Sequence, residues 1–362
     1  MKRVLLIGPI PEPTTGVSLA NKVVLQGLQS KDTFSVQAIN TSYNKFDENL
    51  GKFSFSKFIF FLKINFHVLK VFKNDIIYMT PGQTFFGLVK YTLFILMSKL
   101  AGKELVIHIH GNYVGRGYAE LKGLKKKIFR SLLKRTTKGI VLSESLKGNM
   151  SPFIDDHDIY VLYNFVEDYL FTQAETIQAK ENNTTPRVIF LSNLMAEKGI
   201  FELLEALTIL EEKGITYEAK IAGAIDAGNQ SKVEEYFKKL KHAEYCGVVR
   251  GEDKKELLLW GNTFVLSTYY AMEGQPISIL EAMATGNLVL TTQHAGIPDI
   301  FEDQVNGYFV EKKNAEDLAD KIVLASKDAR KSSKIRMHNF ENALKKYRVD
   351  HFIKNIIHIF NA

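Results

Sequence analysis

One cysteine, Cys246, is all the thiol chemistry in the chain, which excludes an intramolecular disulfide and fits a reducing compartment. Long apolar runs are also missing. The longest, FFGLVKYTLFILMSKL from Phe85, is interrupted by Lys90 and falls short of the ~20 residues a bilayer-spanning helix needs, so a buried helix is expected there. MKRVLLIGPIPEP sets two basic residues before an apolar run, but the run stops at Gly8-Pro9 without a small-residue cleavage site. A first β-strand is expected in place of a signal peptide, and the chain is expected to be cytoplasmic. Low-complexity segments and short repeats are lacking too.

What remains is a soluble globular composition, 46% hydrophobic and 24% charged, over 362 residues, a length that suits two domains better than one core. Short β-branched runs alternate with helical patterns. RVLLIG, FSVQAIN, DIIYMT, ELVIHIHG, GIVLS and IYVLYN read as strands of one parallel sheet covered on both faces. A polar, aperiodic stretch over 167–186 ends in a proline and reads as a linker. The pattern then restarts with RVIFLSNL, EAKIAGA, YCGVV, TFVLST, LVLTT and GYFV. The expected domains are 1–166, a linker at 167–186, and 187–344, with a C-terminal helix over about 345–362. Ligands of such sheets bind beyond the carboxyl ends of strands, so chemistry is sought in the loops that follow them.

Four of those loops carry candidates. In GPIPEPTTGVSLA, Gly16 opens a helix behind Thr14 or Thr15 as cap, leaving backbone amides open to a ligand; without G-x-G-x-x-G a dinucleotide site gains no support. VIHIHGNY ends with His108 and His110 on one strand face, either structural or at a site. No third ligand accompanies them, and no metal site is expected. In RVIFLSNLMAEKGIFELLEA, Lys198 and Gly199 stand before a helix, a combination of cation and free amides that suits an anion. The fourth is EGQPISILEAMATG, where Pro276 suits a first helical turn. Glu273 then lies in the preceding loop, as a cap would. Glu281 falls inside an otherwise apolar helix, where a carboxylate needs partners that ligand hydroxyls could supply.

The ordered set GPIPEPTTG, HIHG, VLYNFVE, LSNLMAEKG, EGQPISILEAMATG and AGIPDIFEDQVNGYFV resembles the retaining glycosyltransferases of family 4, over nearly the whole chain. The resemblance implies an α/β fold of the GT-B type, two Rossmann-like doubly wound domains facing across a cleft, with the C-terminal helix crossing back to the N-terminal domain. It implies transfer of a sugar from a nucleotide diphosphate sugar, UDP-sugar favoured and GDP-sugar the alternative, with no cofactor or metal required. By the same resemblance Glu281 meets the ribose and Glu273 the donor sugar. Lys198 neutralises the diphosphate with Gly199, Gly16 and the amides of Gly274, Gln275, Pro276, Ile277 and Ser278, and His110 sits beside the reacting end. Gly247 to Arg250 border the base. Glu273, His110 and Lys198 are the candidate catalytic residues. One departure stands out: Ser192-Asn193 occupies a place where the family often has Gly-Arg, so Asn193 lacks a second cationic diphosphate contact. Other GT-B enzymes (a nucleotide-sugar epimerase or a phosphorylase) and a non-catalytic nucleotide-sugar-binding relative stay open.

Charge is divided unevenly. Residues 1–166 hold 23 Lys/Arg against 11 Asp/Glu, and the remainder 24 against 29. Lys52–Lys73 has five lysines, seven phenylalanines and no acid; Leu121–Lys138 has eight basic residues and no acid. Such segments are either ordinary helices with solvated lysines or helices suited to an anionic membrane surface. With the resemblance, which places the acceptor in the N-terminal domain, they favour a glycan or lipid-linked acceptor and a peripheral position on the cytoplasmic face of the inner membrane. The expected setting is capsule or lipopolysaccharide synthesis. No nucleic-acid module is recognisable, and no nucleic-acid partner is expected.

Overall fold

The computed structural model describes residues 1–43, 55–180 and 185–362, which divide into two compact units. The first comprises Met1–Asn164, Met272–Gln275 and Val349–Ala362; the second comprises Phe165–Ala271 and Pro276–Arg348. In chain order the first contains β1 (Lys2–Gly8), α1 (Gly16–Gln29), β2 (Phe34–Asn40), α2 (Phe55–Asn65), β3 (Ile76–Met79), α3 (Phe85–Val89) and α4 (Thr92–Leu100). These are followed by β4 (Glu104–Ile109), α5 (Val114–Glu120), α6 (Gly123–Leu133), β5 (Lys138–Val141) and β6 (Ile159–Val161). The strands form one parallel sheet in the order β2-β1-β3-β4-β5-β6. Val4 to Ile7 and Ile76 to Met79 are buried throughout, as strands covered on both faces must be. Thr15 is the cap of α1: its hydroxyl accepts from the Ser18 amide at 3.1 Å while the Thr15 amide donates to Ser18 Oγ at 2.8 Å.

The second unit begins with α7 (Ala174–Ala179), β7 (Arg187–Leu191), α8 (Ile200–Glu212), β8 (Glu218–Ala222), α9 (Gln230–Lys239) and β9 (Ala243–Tyr245). It continues with α10 (Gly251–Trp260), β10 (Thr263–Leu266), α11 (Ile277–Ala284), β11 (Leu288–Thr291), β12 (Gly307–Phe309), α12 (Ala315–Lys327) and α13 (Ala329–Lys346). Its parallel sheet runs β12-β11-β10-β7-β8-β9. The expected alternation is therefore present in both units. The strand anticipated in YCGVV lies slightly earlier, at Ala243–Tyr245, because the β-branched pair Val248-Val249 follows Gly247 at φ 68°, a bend that ends the extended run. Within the stretch expected as linker, α7 packs on α13 with Leu170 and Ile177 buried; residues 181–184 of that stretch lie outside the described residues. The Phe85 run is not one buried helix. It breaks between α3 and α4, and it leaves Phe86 and Leu100 exposed.

The C-terminal pattern also resolves into two helices. After α13 the chain turns at Tyr347-Arg348, and α14 (Val349–Asn361) packs in the first unit against α1. A Cβ on Gly27 of α1 would meet Ile353 Cδ1 at 2.4 Å, so only glycine allows this approach. Phe360 is fully buried, its ring edge-on to Tyr78 at 5.7 Å, and Lys2 and Lys138 donate to the last-turn carbonyls of Phe360 and Ile359 at 2.8 and 2.9 Å. Cations at a helix C-terminus satisfy orphan carbonyls and oppose the negative end of the dipole. Phe360→Ala removes the largest of these contacts and is expected to destabilise the first unit by about 3–5 kcal/mol, measured as a lowered urea midpoint.

Candidate functional site

The functional side chains follow strand ends, as the topology of a doubly wound sheet dictates. In the first unit β4 carries His108 near its end and is followed at once by His110, and the two rings lie 3.9 Å apart. His108 is buried, with its Nδ1 hydrogen-bonded to the Tyr78 hydroxyl at 2.7 Å. The buried Nε2 of His110 has no hydrogen-bond partner among the described residues. Burial, and for His108 the neighbouring His110, pushes both imidazoles down, His110 to about 3. Both are neutral at physiological pH, so His110 can exchange a hydrogen bond with a ligand but adds no positive charge.

Against this strand end lies the loop Met272–Gln275. A Cβ on Gly274 would meet Leu142 Cδ1 at 2.8 Å, His110 O at 2.9 Å and Gly111 Cα at 3.1 Å, so glycine is what lets the two backbones touch. Gln83, in the loop after β3, donates to Met272 O at 3.1 Å and accepts from the Tyr113 amide at 2.7 Å. The buried Gln275 is bonded at both ends of its amide: Oε1 accepts from the Asn164 amide at 2.6 Å and Nε2 donates to Leu142 O at 3.1 Å. Its carbonyl accepts from Asn164 Nδ2 at 2.8 Å. The loop thus carries Glu273, 7% exposed, beside His110. Gly16 is the exposed first residue of α1 in this same unit.

In the second unit the loop after β7 holds Lys198 and Gly199. Gly199 has φ 84°, and a Cβ there would fall 2.1 Å from Ser267 Oγ, so the position excludes any side chain. Tyr269 donates its amide to Glu197 O at 2.8 Å, which ties this loop to the one after β10, and Lys198 Nζ lies 5.1 Å from the centre of the Tyr270 ring. Tyr270 O accepts from His294 Nε2 at 2.8 Å, and Lys312 Nζ lies 3.2 Å from His294 Nδ1. The ends of β7, β10, β11 and β12 therefore bring Lys198, Tyr270, His294 and Lys312 into one chain of contacts. Asn193 is exposed, its carbonyl accepting from the Met195 amide at 2.8 Å, and Arg250 is exposed at the cap position of α10.

Pro276 stands one position before the expected first turn, as the N-cap of α11, with Ile277 and Ser278 opening the helix. Glu281 is buried in it, but its burial needs no ligand hydroxyl: Lys254 of α10 reaches Glu281 Oε1 at 2.6 Å and Glu167 Oε2 at 3.1 Å. Burial lowers the Lys254 ammonium, but the charges and hydrogen bond of Glu281, with Glu167 behind, raise it above its ordinary value. The sequence argument from Glu281 thus overlooked a protein partner. Lys254 sits among charged neighbours in GEDKKELLLW, with no local signal that it alone turns inward. Gln83 was also missed, although its place after β3 was a usable clue.

Two outcomes follow. The folded unit refuses protons that its unfolded histidines accept, so stability declines as pH falls below about 6.5, by about 1.4 kcal/mol per pH unit for a single histidine. His110→Gln is expected to flatten the fall of the urea midpoint between about pH 7 and 5. Lys254→Met leaves two carboxylates without their cation and is expected to cost about 3–5 kcal/mol, with part recovered in the Lys254→Met/Glu281→Gln double variant.

Residues 172–346 match the family model of glycosyl transferases group 1. The amylovoran biosynthesis glycosyltransferase AmsK of Erwinia amylovora is 31% identical over 138 residues, 37% of this chain and 34% of that protein. The N,N'-diacetylbacillosaminyl-diphospho-undecaprenol alpha-1,3-N-acetylgalactosaminyltransferase of Campylobacter jejuni is 30% identical over 158 residues, 44% of this chain and 39% of that protein. The chain thus spans well under half the length of these relatives. Among solved structures, HepE from Anabaena in complex with UDP covers 100% of both chains with a TM-score of 0.76 at 18% identity, a likeness in fold. The two parallel sheets with their flanking helices are those of the GT-B fold.

Proposed function

We propose that the chain is a retaining glycosyltransferase of family 4, moving a hexosyl or N-acetylhexosaminyl group from a nucleotide diphosphate sugar to a glycan or lipid-linked acceptor in bacterial surface polysaccharide synthesis. The observation that carries this reading is the anchored loop: a buried Glu273 and the Nε2 of His110, without a partner among the described residues, are fixed at one strand end, where they suit the hydroxyls of a sugar. UDP-sugar is preferred to GDP-sugar as donor, supported by the complexes of Anabaena HepE with UDP and UDP-glucose. A lipid-linked acceptor and a place on the cytoplasmic face of the inner membrane are supported by the name of the Campylobacter relative and by the basic N-terminal half.

Each residue has a physical task in this reading. Lys198, the amides of Gly199 and those around Gly274–Ser278 stabilise the charge that grows on the diphosphate as the glycosidic bond breaks, with Gly16 and Arg250 as further contacts. Asn193 adds a hydrogen bond where the family often adds charge. Glu273 and Glu281 accept sugar and ribose hydroxyls and fix the donor's orientation. The carboxylate oxygen of Glu281 that Lys254 leaves free is available for this. Residues 1–166, with the last helix, take the acceptor; 187–344 hold the donor, with 167–186 joining them.

The test is donor hydrolysis and transfer to a lipid extract across a panel of nucleotide sugars. Lys198→Ala is expected to lower the rate by about a hundredfold or more, and a loss under about threefold would remove Lys198 from the diphosphate. The exposed Asn193 favours one second reading, a nucleotide-sugar-binding protein without turnover. Wild-type protein that shifts its Tm with a nucleotide sugar yet never consumes it would establish that reading instead.

A further inference from the structure

The helices after β2 leave apolar side chains pointing outward. From Phe66 to Lys73 the chain continues α2 as a 3-10 helix, and Ile59, Leu62, Phe66, Leu69 and Phe72 recur on its exposed side at helical spacing while Ile64 and Val71 face the core. Phe66 is 78% exposed and Leu69 68%. α4 packs against this segment and adds Leu93, Leu96 and Leu100, the last 75% exposed. α6, in contact with α3 and α4, adds Leu124 at 72%. Rings and cations link the pieces: Lys90 Nζ lies 4.2 Å from the centre of Phe61, and Lys125 Nζ 5.9 Å from Phe85 and Phe86. Scattered apolar residues need no explanation, but adjoining helices that all expose phenylalanine or leucine form a patch that does.

Among the described residues, the charge on the helices of this patch has one sign. Lys63, Lys73, Lys99, Lys122, Lys125 and Lys127 are exposed among these side chains. Between Lys52 and Lys138 the sequence has only three acids, and each is paired elsewhere: Asp75 with Arg3 at 2.6 Å, Glu104 with Lys138 at 2.8 Å and Glu120 with Arg116 at 3.0 Å. Nothing acidic on these helices balances the lysines. A second copy of the same face would set lysine against lysine, which opposes self-association. No helix among the described residues is long and apolar enough to cross a membrane.

We propose that this face lies in the plane of an anionic bilayer, with Leu62, Phe66, Leu69, Phe72 and Leu100 below the headgroups and the surrounding lysines on the lipid phosphates. The side chains sit where an in-plane amphipathic surface puts them, ~5–10 Å into the headgroup and acyl boundary. This specifies the membrane partner of the reading above, but it rests on these side chains and not on the transfer chemistry. Apolar insertion also separates it from attraction by charge alone, which salt screens.

The experiment is co-sedimentation of the full chain with phosphatidylglycerol-containing and pure phosphatidylcholine vesicles at low and high salt, alongside Phe66→Ser/Leu69→Ser/Phe72→Ser and Lys63→Gln/Lys73→Gln/Lys99→Gln. Wild type is expected to bind the anionic vesicles and to keep part of that binding at high salt. The serine variant, with an unchanged Tm because its sites are exposed, is expected to bind about a hundredfold more weakly. The glutamine variant is expected to lose the salt-sensitive part alone. Serine-variant binding equal to wild type overturns insertion. So does a wild type that is dimeric in sedimentation equilibrium and becomes monomeric in the serine variant, or one that retains RNA and ignores vesicles. Nucleotide-sugar turnover, measured on the same preparations with a soluble acceptor, is read separately, so loss of either proposal leaves the other standing.

Discussion

Four hydrogen bonds hold the tetrapeptide Met272–Gln275 in the first unit, from Gln83, Asn164 (twice) and Gln275 itself. The placement of Glu273 beside the end of β4 depends on that attachment. A buried carboxamide is costly unless both ends of it are matched, and Gln275 achieves this with one backbone amide and one backbone carbonyl, groups that cannot rotate away. The loop is therefore fixed in position before any ligand arrives. Glu273 inherits that rigidity.

Electrostatics divide the two units. The second buries charge and neutralises it internally, with Lys254 shared by Glu281 and Glu167. At Lys180 the donors are instead turned onto the carbonyls of Thr285 and Leu258 at 2.7 and 3.1 Å. The first unit sets two neutral imidazoles and an amide at the strand end that also carries Glu273, and keeps most of its excess cations outside. A desolvated neutral group is cheaper to keep than an ion, which is why a strand end packed this tightly can include histidine.

The alternation of strand and helix, the capped start of α1, the place of Gly199 before α8 and, to within one residue, the entry to α11 were legible because each follows from local chemistry: period, capping oxygen, missing amide hydrogen. The partners reached through space were not. Lys254 meets Glu281 across 27 residues and Gln83 meets Met272 across 189, and no periodicity encodes such pairs. The breaks at Lys90-Tyr91 and Tyr347-Arg348 were hidden for another reason. Neither contains glycine or proline, so tertiary packing and not propensity ends those helices. The outward leucines of α4 were read as core since hydrophobicity alone does not say which way a side chain points.

The discontinuous make-up of the first unit has a consequence for recombination between relatives. The second unit cannot be exchanged by a single crossover near residue 165, because Met272–Gln275 and Val349–Ala362 would then arrive from the foreign parent while Gln83, Leu142, Asn164, Gly27 and Tyr78 stayed native. A functional hybrid needs four splice points to keep those fragments with their hosts, or a matched set of the residues that grip them. Libraries built by random shuffling should accordingly yield survivors whose parentage alternates at these short segments.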